Sequence, residues 1–324
     1  MQRLIIQRLL LAVPTLFVVS ILSFTIIKLA PGDPVRMYVS TGLSQGNQED
    51  IERIRRNLGL DRPLHVQYLA WLKNTMQGNL GYSLSSRRPV GQILLEKLPA
   101  SISLMGISFL VSLTIGVLVG VISAVKQYSL FDYSVTVFAF IGNSIPSFWI
   151  AMMLIWFFAV ELGWLPTGQM QSYQPTASPL LDYARHFVLP VATTSFINLV
   201  GWVRYQRASM LEVLQQDYIR TARAKGLKER SILLGHAWRN SLIPILTLIG
   251  FSVSNLVGGS YIIETIFSWP GMGQLGFDAI LKRDFPVIMG VTLLSAAFII
   301  LGNLLADVTY ILVNPKMRTS GSEL

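Results

Sequence analysis

Residues 98–125 read LPASISLMGISFLVSLTIGVLVGVISAV, a run from Leu98 to Val125 without one Asp, Glu, Lys or Arg. As a helix it is long enough to cross a hydrocarbon layer of about 30 Å at about 1.5 Å per residue. Five further uncharged runs follow the same rule: Leu9–Ile27, Tyr133–Val160, His186–Val203, Asn240–Ile263 and Phe285–Ala306. Two other uncharged stretches, Leu162–Leu181 and Thr265–Phe277, are rich in Pro, Gly, Gln or Ser and read as loops. The pattern predicts an all-α integral membrane protein with six transmembrane helices. The first run follows Arg3 and Arg8, as in a signal peptide. Its apolar stretch is too long for one, and Lys28-Leu29-Ala30-Pro31 is a poor cleavage site, so it reads as a retained helix.

Composition agrees. The 324 residues are 52% hydrophobic and 13% charged, with a mean hydropathy of +0.52. Soluble domains carry about 25% charged residues, and their cores stop growing near this length, so the surplus apolar surface faces lipid. The net charge of +9 fits basic loops on a membrane protein, and no nucleic-acid partner is expected. Without cysteine there is neither a disulfide nor a thiolate metal site. His65, His186 and His236 are scattered, so no metal site is expected.

The distribution of Lys and Arg orients the chain. With the N-terminus inside, the cytoplasmic segments hold thirteen of the 26 basic residues, and the two short outer loops hold only Arg185, Lys282 and Arg283. The other ten lie between Lys28 and Leu98, and long translocated segments are largely exempt from the rule. Both termini are therefore expected to be cytoplasmic. The chain divides into a first transmembrane helix (1–30), an extracytoplasmic helical segment (31–97), a five-helix core (98–313) with an inner loop at 204–239, and a cytoplasmic tail (314–324). In the outer segment, Asn47 can cap a helix through Ile51, Ile54 and Leu58 that ends at Gly59. Pro63 opens a second, through His65, Tyr68, Trp71 and Leu72, that closes near Gly78. This segment reads as a packed cap or as a docking surface for an extracytoplasmic partner.

The only extended inner segment, 204–239, contains Tyr218-Ile219-Arg220-Thr221-Ala222-Arg223-Ala224-Lys225-Gly226-Leu227. A helical pattern through Leu211, Leu214, Tyr218 and Ala222 stops at Gly226, and a second short one carries Ile232, Leu233 and Trp238. The expected shape is two short helices joined by a glycine turn. Ala222, Ala224 and Gly226 would admit the backbone of another protein, while Arg220, Arg223, Lys225, Lys228 and Arg230 supply charge. A basic interfacial helix held by anionic membrane lipid is the competing reading.

This stretch resembles the loop by which permease subunits of bacterial ATP-binding-cassette (ABC) importers engage their ATPases. Arg220-Thr221-Ala222 stands where the family has E-A-A, Gly226 stands at its glycine and Pro244 at its proline. The departures in the triplet and the long gap to Pro244 resemble the peptide-importer branch. Further matches to the B-type subunit of oligopeptide and dipeptide permeases are Leu29 to Pro34, Leu58 to Asp61, Asn143 to Trp149, Glu264 to Gly273 and Asp307 to Arg318. The resemblance covers nearly the whole chain and implies a type I ABC importer permease fold in a bacterial or archaeal cytoplasmic membrane.

It also implies four partners: a homologous C-type permease, two cytoplasmic ATPases and an extracytoplasmic substrate-binding protein. The chain lacks a G-x-x-x-x-G-K-[ST] phosphate loop, so no cofactor is expected in it. ATP and Mg would be bound by the partner ATPases, and the chain would be a transporter subunit rather than an enzyme. Residues 220–227 would form the ATPase-coupling loop. Candidates for the pathway are Asn143 and Ser144 before Pro146, Ser252 and Asn255 in the fifth helix, and Glu264 as an outer gate. Helix-to-helix hydrogen bonding competes for the neutral polar residues, including Thr193, Thr194, Ser195 and Asn198. Lys28 and Asp307, at helix ends, read as structural.

A gradient-driven secondary transporter is the alternative, but the helix centres are uncharged and no inverted repeat is visible. An intramembrane enzyme would need clustered His, a Ser-Lys or Ser-His pair or paired carboxylates at membrane depth, and none is seen. A sensor or scaffold would not need the long inner loop. Relatives of the resembling type are associated with oligopeptides, dipeptides, glutathione, nickel complexes and some sugars, and no charge rule in the pathway residues selects among them. Six helices are few to enclose a peptide-sized path, so a heterodimeric pore is expected ahead of a homodimer.

Overall fold

The computed structural model describes residues 2–29, 52–53, 55–56, 61–174, 178–253 and 255–313. The expected helix from Asn47 to Gly59 and the tail 314–324 fall mostly or wholly outside these residues. The chain forms α1 (Gln2–Leu29), α2 (Leu64–Met76), α3 (Val90–Val125), α4 (Leu130–Ser144), α5 (Ser147–Leu154) and α6 (Pro179–Leu214). It continues as α7 (Asp217–Ala224), α8 (Trp238–Val253), α9 (Tyr261–Ile266), α10 (Met272–Leu281) and α11 (Phe285–Val313). Among the described residues, five helices are long and apolar enough to cross a membrane, and a bent pair, α4 with α5 and its continuation to Glu161, makes a sixth span.

That bend corrects one expectation. Tyr133–Val160 is not one straight helix: its two parts meet at 102°. Pro146 is the cause, because it lacks an N–H and pushes the preceding residue out of the helical region. Ile145 accordingly sits extended at φ −87°, ψ 128°. Beyond Leu154 the helix continues as a wider π-helical turn, Ile155–Glu161.

The run Asn240–Ile263 is likewise broken. The span begins upstream at Glu229, passes through a π-helical stretch at Ile232–Ala237 and runs on through α8. It is followed by a turn at Asn255–Gly258 and by Gly259 at φ +61°. Ser260 then caps α9 by accepting the Ile263 N–H. The stretch Thr265–Phe277 is not all loop, since α10 begins at Met272. Ile232, Leu233 and Trp238 belong to the base of the fifth span rather than to a separate surface helix.

The core is the parallel pair α3 and α6, each of 36 residues and together the largest helix interface. The most apolar part of α6 is 61% buried, against 11% for α1, so α6 lies inside the bundle and α1 at its lipid edge. On α3 the buried residues Ser101, Ser108, Ser112, Gly116, Gly120 and Ser123 form a seam of small side chains. A Cβ on Gly120 would stand 2.8 Å from both the Gln206 Cβ and the Val203 carbonyl oxygen. The Ser195 hydroxyl donates across the interface to the Ser108 carbonyl at 3.1 Å. Thr193 and Thr194 instead donate back along their own helix to Leu189 and Pro190.

Gly106, on the same helix, has open space where a Cβ would go. Gly120→Leu is therefore expected to destabilise the bundle by about 1–3 kcal/mol or more through overpacking, whereas Gly106→Leu costs little. Thermal unfolding of the two variants in one detergent checks this; equal midpoints would show that the seam does not set the spacing.

Candidate functional site

The inner face is built on α7. Its buried residues Ile219 and Ala222 pack with Ala124 of α3, Met210 of α6 and Ile232 and Ala237 at the base of the fifth span. Ala222, expected to face a partner, is thus turned into the chain's own core and is 8% exposed. The helical pattern expected from Leu211 to Ala222 is interrupted between α6 and α7, so one short helix rather than two lies on this face. Thr221, Arg223, Ala224, Lys225, Gly226 and Leu227 are exposed, as is Arg220. Gly226 adopts φ +73°, the left-handed region that glycine tolerates, and nothing lies within 4 Å of where its Cβ would be. Arg223 pairs with Glu229 at 2.8 Å and Arg220 with Asp217 at 3.5 Å, which closes the loop on itself. The Asn240 amide donates to the Tyr218 hydroxyl at 3.1 Å and ties α7 to α8.

Next to this face stands an ion pair that reading the sequence missed. Asp132 is 2% exposed and accepts two hydrogen bonds from Arg207, both at 2.7 Å. Ser123 donates a hydroxyl to the same carboxylate, and the Tyr128 N–H adds a bond at 3.1 Å. Ser129 caps α4 by accepting the Asp132 N–H. A Ser with an acidic residue three positions later, ahead of an apolar run, is a capping-box pattern and was the available signal. The pair clamps the start of α4 to the inner end of α6.

The outer end is held by two more carboxylates. Glu264 is fully buried and accepts from the Ser101 hydroxyl at 2.8 Å and the Gln274 N–H at 2.9 Å. Ser101 in turn accepts the Met272 N–H at 2.7 Å, and the Trp269 indole donates to the Ala100 carbonyl at 2.9 Å. A Cβ on Gly271 would meet the Glu264 carboxylate at 2.5 Å, so the loop closes around this group. In this structure Glu264 anchors the 267–274 loop to α3. Asp284, which the sequence reading did not single out, accepts from Ser83 and Ser85 hydroxyls at 2.5 and 2.8 Å and from the N–H groups of Leu84 and Ser85 at 3.0 Å. An Asp just ahead of Phe285-Pro286 is a helix-start signal that could have flagged it.

The pathway candidates lie apart. Asn143 is exposed and lines a cavity of about 220 Å³ with Phe140, Arg204 and Arg207. Ser144 is exposed and donates to the Phe140 carbonyl at 2.9 Å. Ser252 donates to Leu248 at 2.9 Å, and the side chain of Asn255 lies outside the described residues. Among the described residues, no hydrogen bond or ion pair joins Asn143 or Ser144 with Ser252 or Glu264. Asp307 pairs with Arg8 at 2.8 Å, and Lys28 stands 5.6 Å from the Phe24 ring centroid. No group of three or more His, Cys, Asp or Glu among the described residues is placed to hold a metal ion.

A multi-pass helical membrane protein with an anchored, glycine-ended helix on its basic inner face is, by class, a transport permease. Residues 116–319 match the family described as "Binding-protein-dependent transport system inner membrane component", and residues 1–105 match its N-terminal companion. The chain belongs to this family and is a pore-forming membrane subunit of an ABC importer, not an enzyme. Relatives include the oligopeptide transport system permease protein AppB of Bacillus subtilis, 42% identical over 97% of this chain and 98% of that one. The di/tripeptide transport system permease protein DppB of Pseudomonas aeruginosa is 41% identical, again over 97% and 98%. Among solved structures, the inward-facing MetNI methionine ABC transporter is similar with a TM-score of 0.55 and 18% identity. That likeness covers 69% of this chain and 97% of that one, and shows the fold.

Asp132→Asn removes the buried charge that a partly exposed Arg207 pairs with, so a loss of about 1.5–3 kcal/mol is expected. Glu96→Gln breaks an exposed pair with Arg88 and is expected to leave the unfolding midpoint unchanged. Thermal unfolding of both variants decides between a clamp and a surface contact; similar midpoints would remove the clamp.

Proposed function

We propose that the imported solute is a peptide, and that this chain forms one half of the pathway beside a homologous second permease in a bacterial or archaeal cytoplasmic membrane. Two ATPases that bind ATP and Mg dock on the inner faces of the two permeases, and an extracytoplasmic binding protein delivers the peptide. The names of relatives at 41–42% identity support the peptide. A broad apolar surface on α4, α5 and the π-helical turn that follows, with Phe138, Phe140, Ile141, Trp149, Met152 and Trp156 exposed, supports a partner helix layer.

The observation that carries the coupling is the cluster under α7. Ile219 and Ala222 touch the inner end of α3 through Ala124, α6 through Met210 and the base of the fifth span through Ile232 and Ala237. A displacement imposed on the exposed side of α7, where Arg220, Lys225 and Leu227 stand, therefore reaches three spans at once. Interfaces of this kind are packed to interior density and move as rigid units. ATP-driven closure of the ATPases would tilt these spans and exchange access between the two sides. Asn143, Ser144, Ser252, Asn255 and Glu264 remain the proposed pathway positions, with Glu264 acting by holding the outer loop.

Gly226→Trp tests the coupling. The side chain enters open space, so the cost to folding is limited to the left-handed backbone, about 1–2 kcal/mol. In the assembled complex in vesicles, ATP hydrolysis is expected to persist while peptide uptake falls about ten-fold or more, the effect of losing about 1.4 kcal/mol from a coupled step. Uptake at the unsubstituted rate would contradict the proposal.

A further inference from the structure

At the outer end of α1 lies a cavity of about 430 Å³ between α1, α2 and the start of α11. Its walls are mainly apolar and aromatic, with Phe24, Trp71, Leu80, Phe285 and Met289, and Gln67, Asn74 and Asn79 add neutral polar groups. Three cationic side chains, Lys28, Arg56 and Arg62, line it as well, and no acidic residue does among the described residues. Asp61, next to Arg62, is exposed and does not line it, and Asp284, next to Phe285, is already engaged by four donors from Ser83, Leu84 and Ser85.

The position of this cavity fixes the chemistry of its occupant. Beside it on α1, Leu22, Ile26 and Leu29 are 56%, 66% and 71% exposed, so the same helix end that walls the cavity also faces lipid. The aromatic cluster of Phe17, Phe24, Tyr68 and Trp71, with the Tyr68 hydroxyl 2.8 Å from that of Ser20, holds α2 against the outer half of α1. The cavity is therefore at the depth where hydrocarbon gives way to headgroups. An amphiphile with an apolar tail and one negative charge matches an apolar wall under a cationic rim. We propose that this cavity binds an anionic phospholipid of the outer leaflet, with its acyl chain against Phe24, Trp71 and Met289 and its phosphate between Lys28, Arg56 and Arg62. The lipid would wedge α2 against α1 and α11 and so hold the external segment in place.

The test uses the full transporter complex reconstituted in nanodiscs of phosphatidylglycerol and phosphatidylcholine, extracted into mild detergent and assayed for retained lipid by mass spectrometry. The unsubstituted complex is expected to retain phosphatidylglycerol in preference to phosphatidylcholine, and millimolar inorganic phosphate should not displace it. Lys28→Gln with Arg62→Gln should weaken retention about twenty-five-fold, at about five-fold for each charge removed. The charge-preserving pair Lys28→Arg with Arg62→Lys should restore it, and Lys73→Gln, on α2 but outside the cavity, should leave it unchanged. Equal retention in the Gln variant, or equal loss in the charge-preserving one, would overturn the proposal. So would unchanged lipid with weakened affinity for the extracytoplasmic binding protein, because the cationic rim would then serve that partner.

Discussion

In lipid, two helices gain little by hiding apolar side chains from each other, because the acyl chains are equally apolar; they associate through close packing and hydrogen bonds between backbones that can approach. Gly116 and Gly120 in the seam of α3 meet that requirement where larger residues would hold α6 away, and Ser101 and Ser123 at its ends turn their hydroxyls to Glu264 and Asp132. Trp202, Val203 and Gln206 of α6 fill the space at Gly116 and Gly120. Several other elements are fastened to this pair. The Asp132–Arg207 pair brings α4 to α6, and Gln206 and Ser209 reach Ser241 of α8 at 2.8 and 2.9 Å. At the other end, Ser101 and Ala100 receive Glu264 and Trp269. Small side chains in the seam thus place the polar fastenings as well as the backbones.

The same pair connects the two faces of the membrane. Its inner end is continuous with the cluster that seats α7, and its outer end with the loop closed around Glu264. A permease must exchange access between its two sides without opening both, and a stiff element anchored at each end is suited to that. The bend at Pro146 adds a second mechanical feature. It leaves α4 fastened to the inner end of the pair and α5 packed near the outer end, against α9. The two halves of this span can follow different ends of the bundle, which a straight helix could not.

Much of this was legible in the sequence because charge is so costly in hydrocarbon that runs without it mark the spans. The expected second and sixth spans are found, each within a longer helix, and the glycine turn after α7 is where the pattern places it. What charge counting does not register is interruption. Pro146 sits in an uncharged run and still bends it by 102°, and Gly259 ends the fifth run without any polar signal. The inward turn of Ala222 was hidden because a small residue suits a partner's backbone and the chain's own core equally well. Asp132 and Asp284 were passed over for a related reason. Each bounds an uncharged run, and a boundary residue looks like solvent-facing punctuation until its long-range partners, Arg207 or Ser83 and Ser85, are placed beside it.

The central claim is that the exposed side of α7 meets an ATPase. The chain contains no cysteine, so a single introduced thiol reports its own neighbourhood. Ala224→Cys, exposed on α7, would be cross-linked with a short thiol-reactive reagent in native membranes, alongside Met76→Cys at the outer end of α2, which is 81% exposed. The account predicts an adduct between the Ala224→Cys chain and an ATP-hydrolysing protein, strengthened or weakened by ATP, and none from Met76→Cys. An Ala224→Cys chain that cross-links only to itself, or to no nucleotide-binding protein, would contradict it.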